Sequence, residues 1–334
     1  MGDSESIQGA KSAVELLART REAVVALKAM IAKAVVGQDE VIDAMLATLF
    51  ARGHALLVGV PGLAKTLLVS SLAKALDLSF GRVQFTPDLL PADITGTDVL
   101  AQEDGRRALV FAKGPIFHNL VLADEINRTP PKTQAALLEA MQERRVTVGT
   151  KTHALPDPFQ VFATRNPIEQ EGTYPLPEAQ LDRFLLEIHV DYPSESDELE
   201  IARRTTSGVK PVIEPVLKFE EVRALGDLVP QIPVTDEAVH LAVRLARASR
   251  PHDARAPREV REYVRFGAGP RGSQALVLSA KAHAALRGEA AADVDDVRAM
   301  AIAAIRHRVV LSYRAEADAV RDVDVVKALL KSTG

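Results

Sequence analysis

The chain has 334 residues, 47% of them apolar, and a formal net charge of −4, a length that suits two domains. So mild an acidity disfavours a protein that coats nucleic acid through a dominant positive field. Cysteine is absent, which excludes disulfides, thiolate metal sites and cysteine nucleophiles and fits the cytoplasm.

Met1 to Ala10 are polar and acidic, and the stretch to about residue 12 reads as disordered, without the basic segment and apolar run of a signal peptide. From Ala13 to Lys33, Leu16, Leu17, Val24, Leu27 and Ile31 recur at helical spacing. Val35-Val36-Gly37-Gln38 breaks that helix, and a second runs from Asp39 to Ala51. His54 to Val58 is a short apolar strand, followed by a loop to Ala64 and a helix from Lys65 to Leu76. Arg82 to Phe85 is a strand, and Pro87 to Pro115, rich in Gly, Pro, Asp and Thr, reads as an insertion carrying a small hairpin. Leu120 to Ala123 is a buried strand, and Thr133 to Gln142 a helix. Val146 to Thr152 and Phe159 to Thr164 alternate like strands, and Phe184 to Val190 ends the series. This alternation predicts a doubly wound α/β domain over 13–192. After a linker at 193–216, residues 217–334 read as an all-helical second domain, with helix-start signals at Thr235 and Asp293. No apolar run reaches the ~18 residues of a membrane span.

Gly59-Val60-Pro61-Gly62-Leu63-Ala64-Lys65-Thr66 leaves a strand and opens a helix, the context a phosphate-binding loop requires. Backbone N–H groups up to Leu67 would face the phosphates, Lys65 would neutralise their oxygens, and the Thr66 hydroxyl would ligate Mg²⁺. Ala64 stands where such loops carry Gly, which is tolerable if that residue is already helical; otherwise the segment is a Gly-rich turn with a chance Lys. Leu120-Val121-Leu122-Ala123-Asp124-Glu125 ends a strand in two carboxylates. There Asp124 would hold Mg²⁺ through water and Glu125 would act as general base, the alternative being a solvated pair at a loop start.

These two motifs, with Gln84-Phe85-Thr86-Pro87-Asp88-Leu89-Leu90-Pro91, Leu137 to Glu143, the block Asn166 to Phe184 and Arg306-His307-Arg308-Val309-Val310-Leu311, resemble the MoxR family, in the helix-2-insert branch of AAA+ ATPases. The resemblance runs from about residue 20 to 320 and makes Ala64 a family mark. It implies an AAA+ P-loop doubly wound parallel sheet core followed by a helical lid, and Mg²⁺-dependent hydrolysis of ATP. It also implies assembly into a ring, with a hexamer as the family expectation, and chaperone-like work on a protein client with a separate von Willebrand A domain protein. Asp191-Tyr-Pro-Ser-Glu-Ser lacks that domain's Asp-x-Ser-x-Ser site, so such a partner is another chain. By the same resemblance Asn166 is sensor 1, Arg183 the arginine finger, and Arg271, beside Pro270 at a helix start, sensor 2. Val36, Gly37 and Gln38 lie where the superfamily closes over adenine. The plainer alternatives are a pre-proline cap for Asn166, a salt bridge to Asp182 for Arg183 and an ordinary first-turn Arg271. Arg128 is a second candidate for contact across an interface, and Gln84 either restrains Glu125 or is a structural strand residue.

The histidines show no paired metal spacing, and no Gly-x-Ser-x-Gly element is present. Three functions compete: a protein-remodelling ATPase, a nucleic-acid-stimulated motor of the same branch, and a nucleotide-gated scaffold, which Glu125, Asn166 and Arg183 argue against.

Overall fold

A computed structural model describes residues 2–103, 106–169 and 172–333. Met1 of the expected disordered start and Gln170 and Glu171 of the family-like block lie outside the described residues.

The first domain begins with helices α1 (Gly2–Ile31) and α2 (Asp39–Phe50), strand β1 (Ala55–Val58), α3 (Lys65–Ala75), β2 (Phe80–Gln84) and the short α4 (Pro91–Thr95). A hairpin follows, β3 (Gly96–Glu103) and β4 (Arg106–Lys113), then β5 (Leu120–Asp124), α5 (Pro131–Glu143) and a second hairpin of β6 (Arg145–Val148) and β7 (Lys151–Ala154). β8 (Gln160–Arg165), α6 (Glu178–Leu181) and β9 (Leu186–His189) complete it, and α7 (Glu195–Thr206) occupies the stretch expected as the linker. β2, β5, β8, β1 and β9 form, in that order, a five-stranded sheet in which every pair is parallel.

β1 and β5 are buried runs because both faces of the sheet are covered there, whereas the edge strand β2 alternates, with Arg82 and Gln84 exposed. Leu57, Leu120, Leu122, Phe162 and Ile188 point to a layer shared with Met45 and Leu49 of α2 and Leu68 and Leu72 of α3. The intervening residues Leu56, Val58, Val121, Ala123 and Val161 point the other way, onto Leu137, Leu138 and Met141 of α5. The strict alternation of strand side chains assigns each residue its layer.

α1 starts at Gly2, so the disorder expected for the first residues gives way to helix. Those residues lack an apolar stripe, but a helix already nucleated over the Leu17–Ile31 face propagates at little cost.

The second domain holds α8 (Phe219–Leu228), α9 (Asp236–Ala248), α10 (Arg258–Tyr263), α11 (Pro270–Leu286), α12 (Val294–Ile305), α13 (Tyr313–Ala317) and α14 (Asp322–Ser332). Thr235 caps α9 by accepting from Ala238 N, and Asp293 caps α12 by accepting from Asp295 N and Asp296 N. The domain is not wholly helical: β10 (Val264–Phe266) pairs antiparallel with β11 (Val310–Leu311). Segments of three and two residues are too short to display period-two alternation, so only tertiary pairing makes them strands. Leu241, Leu276, Val297 and Val325 join the same apolar layer as α2 and α3, which seats the lid on the core.

Candidate functional site

β1 delivers the chain into the glycine-rich loop beside the end of β9. A Cβ on Gly59 would stand 2.6 Å from the Val190 carbonyl oxygen, so only glycine permits that approach. Gly62 has φ +87 with nothing near its missing Cβ. Ala64 is not helical as its tolerance was expected to require: it caps α3 with φ 54 and ψ 23, in the left-handed region. Holding an alanine there costs roughly 1–2 kcal/mol, strain of the kind folded proteins keep at functional sites.

The loop, the first turn of α3 and the ends of β5 and β8 enclose a cavity of about 480 Å³, lined by 61–67, Asp124, Glu125, Thr164 and Asn166. Lys65 Nζ donates to Gly59 O at 2.8 Å and Val60 O at 2.7 Å. Burial pushes its pKa below the ordinary lysine value, and the carboxylates of Asp124 and Glu125 oppose that shift. Thr66 and Leu67 follow on the same rim, Leu67 being 44% exposed and so in contact with solvent rather than core.

Asp124 and Glu125 are brought together with Lys65 as the motifs predict, and their surroundings add two residues that the motifs did not reveal. Thr164, at the end of β8, donates through Oγ1 to Asp124 Oδ1 at 2.6 Å and accepts from Glu125 N at 2.8 Å. Arg82, on β2, donates to Asp124 Oδ2 at 2.8 Å and to Gln84 Oε1 at 2.6 Å. Gln84 donates to Glu125 Oε2 at 2.8 Å, so it is a partner of the proposed base and not merely a strand residue. Glu125 itself has φ 57. Period-two spacing of Arg82 and Gln84 on β2, beside the carboxylate-bearing end of β5, is the sequence signal for both.

Arg128 pairs with Glu125 at 3.3 Å and with Glu169 at 2.6 Å, contacts within its own subunit. Asn166 is 6% exposed and lines the cavity, while its Oδ1 accepts from Ile168 N at 3.1 Å; the cap and the site position coexist. Val36, Gly37 and Gln38 lie outside this cavity's lining, next to the carboxyl end of β9. Gln38 Nε2 donates to Asp191 O at 3.4 Å, and a Cβ on Gly37 would meet Asp197 Oδ2 at 2.5 Å.

Arg183 and Arg271 are absent from the phosphate-loop cavity. Both line a separate hollow of about 330 Å³ between core and lid, with Arg52, His54, Arg144 and Arg308 on its walls. The salt bridge weighed for Arg183 does not form: Asp182 accepts from Arg308 at 2.7 Å and lies 3.9 Å from Arg271. Among the described residues Arg183 has no side-chain partner. His54 is neutral there, its pKa lowered to about 4 by burial, with the Met141 carbonyl opposing and Arg144 adding to the shift.

Among the described residues one group, Glu187, His189 and Asp322, brings possible metal-ligand atoms within 4.8 Å of one another. Arg306 already bridges it, 3.5 Å from Glu187 and 3.0 Å from Asp322, and Arg165 stands 3.5 Å from Glu187. Two guanidinium groups balance these carboxylates without a metal.

Residues 54–186 match the family model for ATPases associated with various cellular activities, and 256–329 match the AAA lid domain. The chain is 43% identical to the Mycobacterium tuberculosis protein named Chaperone MoxR1 over 299 residues, covering 89% of this chain and 78% of that one. The chain belongs to the MoxR family of AAA+ ATPases. This MoxR-family ATPase is also 40% identical to Bacillus subtilis YeaC, covering 90% of this chain and 91% of that one. A crystal structure of a candidate ATPase from Cytophaga hutchinsonii superposes with a TM-score of 0.89 at 38% identity, over 97% of this chain and 98% of the other. A MoxR-family ATPase is an ATP-hydrolysing enzyme, and the sheet order and lid described above are its fold. Among the described residues no helix is long and apolar enough to cross a membrane.

Proposed function

We propose that this ATPase works as a ring, a hexamer by family resemblance, in which each hydrolytic site is completed by the neighbouring subunit. The observation that carries this reading is the unpartnered Arg183, held with Arg271 in a hollow whose lining shares no residue with the phosphate-loop cavity. An arginine finger needs the γ-phosphate within reach of its guanidinium. Arg183 and Arg271, standing apart from their own loop, suit a phosphate presented by another copy.

Within one subunit, backbone N–H groups of 62–67 and the ammonium of Lys65 bind the phosphates. Lys65 would exchange its donors to the Gly59 and Val60 carbonyls for phosphate oxygens. Val36, Gly37 and Gln38 would close over the adenine. The donors fit Mg²⁺: Thr66 offers a hydroxyl and Asp124 a carboxylate, both hard oxygens. Because both Asp124 oxygens already accept hydrogen bonds, an outer contact through water suits it. When bound, Mg²⁺ neutralises charge on the β- and γ-oxygens. Glu125 accepts the proton of the attacking water, oriented by the tie from its N–H to Thr164, and Asn166 positions that water. The hydrogen bond from Gln84 competes for the same Glu125 oxygen and so lowers the base's availability until it is released.

Chaperone-like remodelling of a protein client, with a von Willebrand A domain protein as separate partner, follows from the same reading. It is supported by the chaperone name of the 43% identical relative. The cytoplasm, where ATP is plentiful, suits such an enzyme. Steady-state ATP hydrolysis as a function of protein concentration tests the shared site. Specific activity should rise with concentration, and an Arg183→Ala variant should bind ATP yet turn over at least ~10³-fold more slowly. Concentration-independent turnover, or full activity in that variant, would refute it.

A further inference from the structure

Arg308 lies at the end of the lid's short 3-10 turn (Arg306–Arg308), after α12. Its side chain is 3% exposed, and its donors converge on one short stretch of the core. Nε reaches Asp182 Oδ1 at 2.7 Å, and Nη2 reaches Phe184 O at 2.7 Å and Asp182 O at 3.3 Å. Nη1 donates to Leu185 O at 3.1 Å and also to Ala304 O near the end of α12. The residues so gripped, 182, 184 and 185, flank Arg183 on both sides, while among the described residues Arg183 itself has no side-chain partner.

A buried guanidinium is expensive to desolvate, and attraction to one carboxylate does not by itself justify it. Its distinctive property is a rigid fork of donors with fixed directions. Here that fork fixes the carbonyls of Asp182, Phe184 and Leu185, on either side of Arg183. From the opposite side, Leu185 N donates to His54 O at 2.7 Å, so the segment is pinned between lid and core. The lone side chain left free in that pinned segment is the one the proposed function assigns to a neighbour's γ-phosphate.

We propose that Arg308 is a positioning residue for Arg183: the lid holds the Asp182–Leu185 backbone in the geometry that presents the finger to the adjoining subunit. A lid shift that withdraws Arg308 thereby slows hydrolysis next door while leaving the subunit's own nucleotide site complete. This inference rests on the shared-site reading of the proposed function.

The test is complementation by mixing subunits. An Arg308→Gln chain keeps Lys65, Thr66, Asp124 and Glu125 but misplaces its finger; turnover should fall on the order of 10²-fold, the cost of a roughly 1 Å error in a positioned group. Its ATP affinity should stay within about twofold, since no phosphate-loop contact is lost. A Glu125→Gln chain keeps its finger but lacks the base. Each alone is slow; mixed and allowed to exchange, roughly one interface in four should pair a Glu125→Gln finger with an intact base, and activity should return. Arg183→Ala mixed with Glu125→Gln is the reference. Rescue of the reference but not of Arg308→Gln would overturn the positioning role, because the defect would lie in the subunit's own site or fold. Failure of the reference itself would overturn the shared-site reading instead. Near-parental turnover of Arg308→Gln alone would also overturn the inference. If Arg308→Gln does not fold, Asp182→Asn weakens the same grip from the core side, and its rescue or lack of rescue decides the question in the same mixture.

Discussion

Replacing Thr164 by Val removes one hydroxyl from the centre of the site and changes almost nothing else in volume. That hydroxyl is 2.6 Å from Asp124 Oδ1 and 2.8 Å from Glu125 N, and Thr164 is 1% exposed. Valine would leave a buried backbone N–H without an acceptor and a carboxylate oxygen short of a donor. Each such loss costs about 1–3 kcal/mol, and because the two share one atom the combined effect should be about 2–4 kcal/mol. Glu125 also has φ 57, a conformation that costs a non-glycine residue roughly 1–2 kcal/mol. Untied, its backbone should relax and carry the carboxylate off line. If half of that free energy falls on the transition state, kcat drops about 5- to 30-fold, with ATP binding within a few-fold of the parent. Steady-state hydrolysis, nucleotide titration and thermal melting together read this out, and Thr164→Ser should retain most of the activity. Val and Ser variants with the same turnover as the parent would show that the hydroxyl does not orient the base.

Ala64→Gly should stabilise the free enzyme by about 0.5–1 kcal/mol, the relief of left-handed strain less the added freedom of the unfolded chain; an unchanged denaturant midpoint would contradict the φ of 54. Gln84→Ala should raise basal turnover by about tenfold or more, the size of a hydrogen bond to a charged group, and a fall in turnover would mean that Gln84 orients Glu125 rather than restrains it. His54 has its pKa lowered from 6.5 to about 4 by burial, so its unfolded form binds the proton first. Its stabilisation is complete above pH 6.5 and is lost as pH falls toward 4, on the order of 3 kcal/mol in all. His307, lowered by burial and by Arg308, acts in the same direction. Urea unfolding at neutral and mildly acidic pH should show a loss that His54→Gln, weaker at neutral pH, largely lacks.

What the sequence disclosed was whatever depends on local pattern. The central strands β1 and β5 were legible because burial on both faces makes them continuous apolar runs, as in Leu120-Val121-Leu122-Ala123. Lys65, Thr66, Asp124 and Glu125 were legible because a phosphate loop and an acidic strand end are contiguous motifs, and the cavity brings them together. Thr164 and Arg82 were not, since their importance comes from strands adjacent in space but distant in the chain. The left-handed Ala64 was missed because backbone conformation at a loop–helix junction is set by the loop as a whole. The β10–β11 pair escaped notice for want of length, and the helix at Gly2 because propagation needs no apolar signal. The free state of Arg183 depended on Arg308, 125 positions further along, having already claimed Asp182.

α1 packs on α3 of the core and on α11 of the lid, and Gly288, just past α11, approaches it so closely that a Cβ would stand 3.1 Å from Arg21 Cβ. A single rod lying across both bodies resists hinge-like gaping, because opening would strip one side of its buried face. Any change of lid angle therefore has to remake the packing of α1 on one of the two bodies, which ties the lid's position to the N-terminal helix.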